Sequence, residues 1–184
     1  MKYKILLVAL KEELPVSPAN YKVIYTGVGK VNAAYETTRA IIEANQLGFQ
    51  PEVYNFGTAG SCKKELSGLH RVTKFIQRDM NAEPLMPRGY TPFDEQQLSI
   101  EHTEHGVTLG TGDQFVHELE SWYMDNNIDL VDMEAYAIAS VCKKMNVEFI
   151  CYKYISDYVG TPHQSEAWNK NVANGINEIL KILT

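Results

Sequence analysis

Two carboxylates flank a methionine in Val131-Asp132-Met133-Glu134-Ala135, where a short apolar run gives way to a helix-like one. Comparable places recur along the chain: Glu12-Glu13, Gly27/Gly29, Gly57-Thr58-Ala59-Gly60, Gly112-Asp113 and Ser156-Asp157 each close a strand-like run. Carboxylates in such positions can move protons, and small residues let backbone N–H groups approach a ligand. Each also has a purely structural reading. Gly27-Val28-Gly29 lacks the third glycine of a dinucleotide fingerprint and reads as a tight turn. The Gly57 to Gly60 stretch could let a helix pack closely. Asp132 and Glu134 could complement a helix N-terminus, Asp157 could cap a turn, and Glu12 and Glu13 could be a solvated pair.

The elements that must position these residues alternate in type. Apolar runs at Ile5–Leu10, Tyr21–Tyr25, Val53–Phe56, Leu69–Ile76, Val107–Leu109 and Phe149–Ile155 read as strands, the first covered on both faces. Helical spacing covers Asn32 to about Asn45, with Ala33, Ala34, Thr37, Ile41 and Ile42 on one face. Further helices are expected over His117–Asn126, from Ala135 to about Met145, and over Glu166–Leu183, the last with Trp168 on its apolar side. Gly57 to Ser61 and Asp157 to Gln164 read as loops. Arg78 to Gln97, with three prolines, reads as a long loop, and such loops are usually functional. Strands alternating with helices predict one α/β domain over residues 1–184, a mixed, largely parallel central sheet flanked by helices. Ligands then bind at the edge beyond the carboxyl ends of the strands.

Composition narrows the function. With 184 residues, 45% hydrophobic and 22% charged, the profile is that of a globular domain. A net charge of −6 argues against a phosphate-tracking nucleic-acid surface or an anionic membrane. No apolar run approaches the roughly 20 residues of a membrane helix, and the N-terminus does not read as a secretion signal. Three cysteines without paired spacing, Cys62, Cys142 and Cys151, point to reduced thiols and a cytoplasmic location. His102 and His105 fall in a polar stretch that reads as a solvated loop, so no metal and no cofactor is expected.

Six words in order resemble the purine nucleoside phosphorylase/uridine phosphorylase superfamily, most closely its 5′-methylthioadenosine/S-adenosylhomocysteine nucleosidase branch. They are Ala9-Leu10-Lys11-Glu12-Glu13-Leu14, Thr26-Gly27-Val28-Gly29-Lys30-Val31-Asn32-Ala33-Ala34, Asn55-Phe56-Gly57-Thr58-Ala59-Gly60, Gly112-Asp113-Gln114-Phe115-Val116, Val131-Asp132-Met133-Glu134-Ala135 and Ile155-Ser156-Asp157. The resemblance implies cleavage of the bond between a ribose C1′ and a base nitrogen. Such cleavage passes through an oxocarbenium-like sugar, needing an acid for the leaving group and a nucleophile from the opposite face. The resemblance makes Asp157 the group that protonates the base, with Ser156 orienting it. Glu13 then activates water, with Glu12 as the alternative if the register slips by one. Glu134 holds the ribose hydroxyls, leaving Asp132 as a structural cap. Met133 lies against the sugar, Phe115 stacks on the base, Val116 reads the base edge through its backbone, and Thr58, Ala59 and Gly60 complete the binding wall.

Phosphorolysis needs cations for phosphate. Where the phosphorylase branch carries arginines, this chain has Lys11-Glu12-Glu13 and Asn55, so hydrolysis is expected. Other departures from the nucleosidase pattern are Lys153 in place of an arginine near Glu134, a shorter segment between Pro15 and Tyr21, and a different Arg78–Phe93 loop. A modified base such as a deazapurine would fit the same core. The competing classes are a phosphorylase, a non-catalytic nucleoside-binding protein and a dinucleotide-dependent oxidoreductase. The partners implied are a small nucleoside and water, with no nucleic acid and no membrane, in a homodimer to which Trp122 or Trp168 could contribute.

Overall fold

The computed structural model describes residues 2–93, 99–102 and 105–184. Among them the chain forms β1 (Lys2–Val8), β2 (Tyr21–Tyr25), α1 (Lys30–Gln46), β3 (Gln50–Ser61), β4 (Leu69–Gln77), β5 (Ser99–Glu101), β6 (Val107–Thr111), α2 (Ser121–Asp125), β7 (Leu130–Asp132), α3 (Ala135–Lys144), β8 (Glu148–Tyr158), α4 (Gln164–Asn171) and α5 (Ile176–Leu183). One mixed sheet runs β2-β1-β3-β7-β6-β4-β5, and β8 pairs with both β3 and β4. The β1–β2, β1–β3, β3–β8, β4–β6 and β6–β7 pairs are parallel, as βαβ alternation demands.

The run Ile5–Val8 is buried on both faces. Ile5 and Leu7 face a core shared with α1 and α3, while Leu6 and Val8 face one shared with α5. That two-sided burial is why the strand reads as a continuous apolar run. In α1, Ala33, Thr37, Ala40, Ile41 and Ala44 are buried, but Ile42 is turned outward.

Several expectations are corrected. Gly57 to Ser61 is not a loop but the second half of a twelve-residue β3, hydrogen-bonded to β8 along its length. The last strand likewise runs through Asp157 to Tyr158. The helix expected over His117–Asn126 is only Ser121–Asp125; Glu120 before it is extended and pairs with Arg88, which also lies over the Trp122 ring. The helix expected over Glu166–Leu183 is broken in two. At the break the Gly175 backbone presses on Tyr154, whose ring atoms would come within 2.7 Å of any added Cβ. In the 78–97 stretch, residues 78–93 are turns with one bridge between Ala82 and Met86, and 94–97 lie outside the described residues.

Ile138 is fully buried in α3 against the sheet, away from the strand ends that carry the carboxylates. Ile138→Ala is expected to cost roughly 2–5 kcal/mol, the range for emptying a rigid core position. A urea denaturation midpoint unchanged from wild type would contradict the packing described.

Candidate active site

A cavity of about 240 Å³ opens at the carboxyl ends of β3, β7 and β8. It is lined by Glu13, Thr58, Ala59, Gly60, Phe115, Val116, Met133, Glu134, Ser156 and Asp157, so all the expected site residues except Lys153 meet there. Lys153 lies beneath, fully buried. Ala9, Leu10, Val28, Arg78, Gln114, Val131, Asp132, Gln164 and Trp168 complete the lining.

Glu13, not the exposed Glu12, turns inward. Its Oε1 accepts from the Thr58 N–H at 2.7 Å and the Thr58 hydroxyl at 2.8 Å, and its Oε2 from the Leu10 N–H at 3.1 Å. The Thr58 hydroxyl in turn accepts from the Trp168 indole N–H at 3.0 Å. Glu134, the residue just before α3, accepts from the Gly29 N–H at 2.8 Å, which ties the Thr26–Lys30 turn to the site. Burial is the main force pushing the Glu134 carboxyl up to about 7, with the neighbouring Asp132 adding to it; Lys153 and the Gly29 N–H oppose the rise.

Asp132 does accept from the Ala135 N–H at 2.9 Å, a capping role, but it does more. The same oxygen meets the Lys153 ammonium at 2.9 Å, and the other accepts from the Thr111 hydroxyl at 2.5 Å. Burial pushes the Lys153 ammonium down. The facing carboxylates of Asp132, Glu134 and Glu13 outweigh it and hold the ammonium well above its ordinary value.

Asp157 is 3% exposed. Its Oδ1 accepts from the Ser156 hydroxyl at 2.6 Å and its Oδ2 from the Gln164 amide at 2.7 Å. Two consecutive residues reach the cavity because the register shifts after Ala59, so Gly60 faces Asp157 and Ser156 is the extra residue. Such a bulge re-aims side chains. Two glycines are required by close approach. A Cβ on Gly57 would stand 3.1 Å from Glu13 Oε1 and 3.3 Å from Lys153 Nζ, and one on Gly60 would stand 3.0 Å from Asp157 Oδ2.

Arg78 extends under the cavity, its guanidinium donating to the carbonyls of Gly112 and Gln114. Asn55 donates to the Leu7 carbonyl at 3.0 Å and accepts from the Cys151 thiol, so it is bound to the framework. Among the described residues no group of three or more His, Cys, Asp and Glu could hold a metal ion. Sequence reasoning missed Gln164 and placed Trp168 on an apolar helix face. Neither carries a local signal, since both act from α4 across the strand ends.

The sequence profile described as the phosphorylase superfamily matches residues 20–184. A 5′-methylthioadenosine/S-adenosylhomocysteine nucleosidase of Anoxybacillus flavithermus is 30% identical over 169 residues, covering 77% of this chain and 69% of that one. An aminodeoxyfutalosine nucleosidase of Helicobacter pylori is 28% identical over 160 residues, covering 73% and 66%. The crystal structure of the Helicobacter pylori 5′-methylthioadenosine/S-adenosylhomocysteine nucleosidase with butyl-thio-DADMe-Immucillin-A superposes with a TM-score of 0.81 at 22% identity, over 99% of this chain and 97% of that one, which establishes the shared fold. The chain belongs to the phosphorylase superfamily, on its 5′-methylthioadenosine/S-adenosylhomocysteine nucleosidase branch.

The raised Glu134 has a stability consequence. Its folded value, about 7, lies above the ordinary 4.5, so the folded protein keeps a proton that the unfolded chain has lost. The stabilisation is complete below the unfolded value and is lost as pH rises through about 7. Glu134→Gln is therefore expected to gain on wild type between pH 5 and pH 8 by up to about 3 kcal/mol in urea denaturation. A gap that does not widen with pH would refute it.

Proposed function

We propose that the protein hydrolyses the N-glycosidic bond of a purine-type nucleoside, of the 5′-methylthioadenosine/S-adenosylhomocysteine kind, to free base and ribose moiety. The observation that carries this reading is the convergence of three buried carboxylates, Glu13, Glu134 and Asp157, from separate elements on one cavity. In this mechanism Asp157 gives its proton to a ring nitrogen of the base as the C1′–N bond breaks and its electrons pass to the base. Glu134 holds the ribose hydroxyls and stabilises the positive charge building on the sugar. Water attacks C1′ from the other side and loses its proton to Glu13. Phe115, 38% exposed at the cavity mouth, stacks on the base, and Val116 presents its backbone to the base edge. Met133 lies against the sugar, while Thr58, Ala59 and Gly60 form the wall behind it.

The disposition of cations supports water over phosphate. Asn55 is committed to Leu7 and Cys151, the Thr58 donors are taken by Glu13, and Nη2 of the Arg78 guanidinium donates to two carbonyls. An anion at Thr58 would meet the Glu13 carboxylate. Released base and reducing sugar are expected from 5′-methylthioadenosine at the same rate with and without phosphate. Asp157→Asn and Glu13→Gln are each expected to lower kcat/KM by about 10²–10⁴-fold. Ribose 1-phosphate among the products would overturn the hydrolytic reading.

The same reading places the protein in the cytoplasm as a homodimer. Its cysteines are unpaired, and α1 presents an apolar stripe in which Val31 is 80%, Tyr35 65% and Ile42 44% exposed. Burying such a stripe favours self-association. Sedimentation is expected to show a dimer for wild type and a monomer for Tyr35→Glu; a wild-type monomer would refute the assembly.

A further inference from the structure

Gln164 is the first residue of α4 and is 6% exposed, against the carboxyl of Asp157. Its Nε2 donates to Asp157 Oδ2 at 2.7 Å, while its Oε1 is buried without a hydrogen-bond partner. A glutamine kept only to fasten a helix would have both ends of its amide satisfied, since an orphaned buried acceptor is costly. Fastening is done elsewhere on the same helix. Asn171 donates to the Ser156 carbonyl at 2.8 Å, and Trp168 donates to Thr58. Among the described residues, the one hydrogen bond its side chain makes is to the candidate acid.

We propose that Gln164 is a positioning residue that holds Asp157 for proton transfer and stabilises the carboxylate left once the proton has gone to the base. The inference rests on the hydrolytic reading above. As the C1′–N bond breaks, the Asp157 proton moves to the base nitrogen, and the negative charge left on the carboxyl is met by two donors. Ser156 meets Oδ1 and Gln164 meets Oδ2. A hydrogen bond to a carboxylate is stronger than one to the neutral acid, so the amide makes Asp157 a readier donor. The other charged groups around Asp157 are Glu13, Asp132, Glu134 and Arg78 in the cavity, Lys153 beneath it, and His163, Glu166 and Lys170 exposed on and beside α4. Replacing Gln164 by leucine changes none of them.

The test compares wild type with Gln164→Leu, Gln164→Glu and Asn171→Ala. For Gln164→Leu, kcat is expected to fall about 10–100-fold with KM little changed, and the alkaline limb of the kcat profile to move up by about one to two pH units, the worth of a hydrogen bond to a charged group. Gln164→Glu, which keeps the shape and adds a like charge, moves the limb up at least as far, and it serves if the leucine variant does not fold. Asn171→Ala loosens α4 and is expected to lower thermal stability without moving the limb. Carbon-13 NMR titration of the Asp157 carboxyl reads the same displacement in the intact protein without turnover. If wild type releases no base, the hydrolytic reading fails while this titration still judges the Gln164–Asp157 bond. No displacement in either Gln164 variant, or an equal one in Asn171→Ala, would overturn the assignment.

Discussion

The ion pair between Lys153 and Asp132 is the constraint on which the rest of the site depends. Both side chains are almost wholly buried, and the ammonium sits 2.9 Å from the carboxylate. Taking two charges out of water costs several kcal/mol per ion, which mutual attraction only offsets when further hydrogen bonds are made. Asp132 makes them, to Thr111 and to the N-terminus of α3. The pair therefore fixes the end of β7 against β8, and Glu134 two residues on inherits its position. Without the cation, Glu13, Asp132 and Glu134 would be three carboxylates lining one cavity with no facing positive charge from Lys153. Lys153 supplies this charge as a compact point charge rather than as the planar fork of an arginine.

The backbone around that pair is shaped to admit it. Gly57 lies opposite Lys153 in the β3–β8 register, and its missing side chain leaves room for the ammonium and the Glu13 carboxyl together. Three residues on, the register shift lets Ser156 and Asp157 both reach the cavity, and Gly60 makes space for the Asp157 carboxyl. The small residues of this segment act by close packing within a strand, not as a flexible ligand-cradling loop. Each carboxylate is then given its own set of donors: Thr58 and Leu10 for Glu13, Gly29 for Glu134, Ser156 and Gln164 for Asp157. Preorganised donors of this kind cost no rearrangement at the moment of reaction.

Helix α4 closes the arrangement from the other side. Its positions 164, 168 and 171 share one face, and all three donate hydrogen bonds to residues on β3 or β8. The helix is thus held mainly by polar contacts to the site, whereas α5 beyond the break is held by Ile179 and Leu183 in the core with Leu6, Val8 and Phe56. The two halves of the C-terminal segment therefore answer to different forces, which a single apolar period could not separate.

The sequence by itself determined the alternation of strands and helices, the two-sided burial of the first strand and the grouping of carboxylates at strand ends. Those are local properties: hydrophobic period, breaker residues and the types present at each turn are written within a few residues of one another. A resemblance carried by six short words in order also singled out Glu13, Glu134 and Asp157, which line one cavity. Only the tertiary structure decided that Gly57 to Ser61 is strand, since strand or loop there depends on whether β8 lies alongside. Likewise, nothing local told that the last helix breaks at Gly175 against Tyr154, or that Lys153 meets Asp132 across 21 residues of chain. The same holds for Gln164 and Trp168, whose partners come from β8 and β3. Hydrogen bonds and ion pairs between elements are set by how the elements dock, and docking is not readable from the spacing of residues within any one of them.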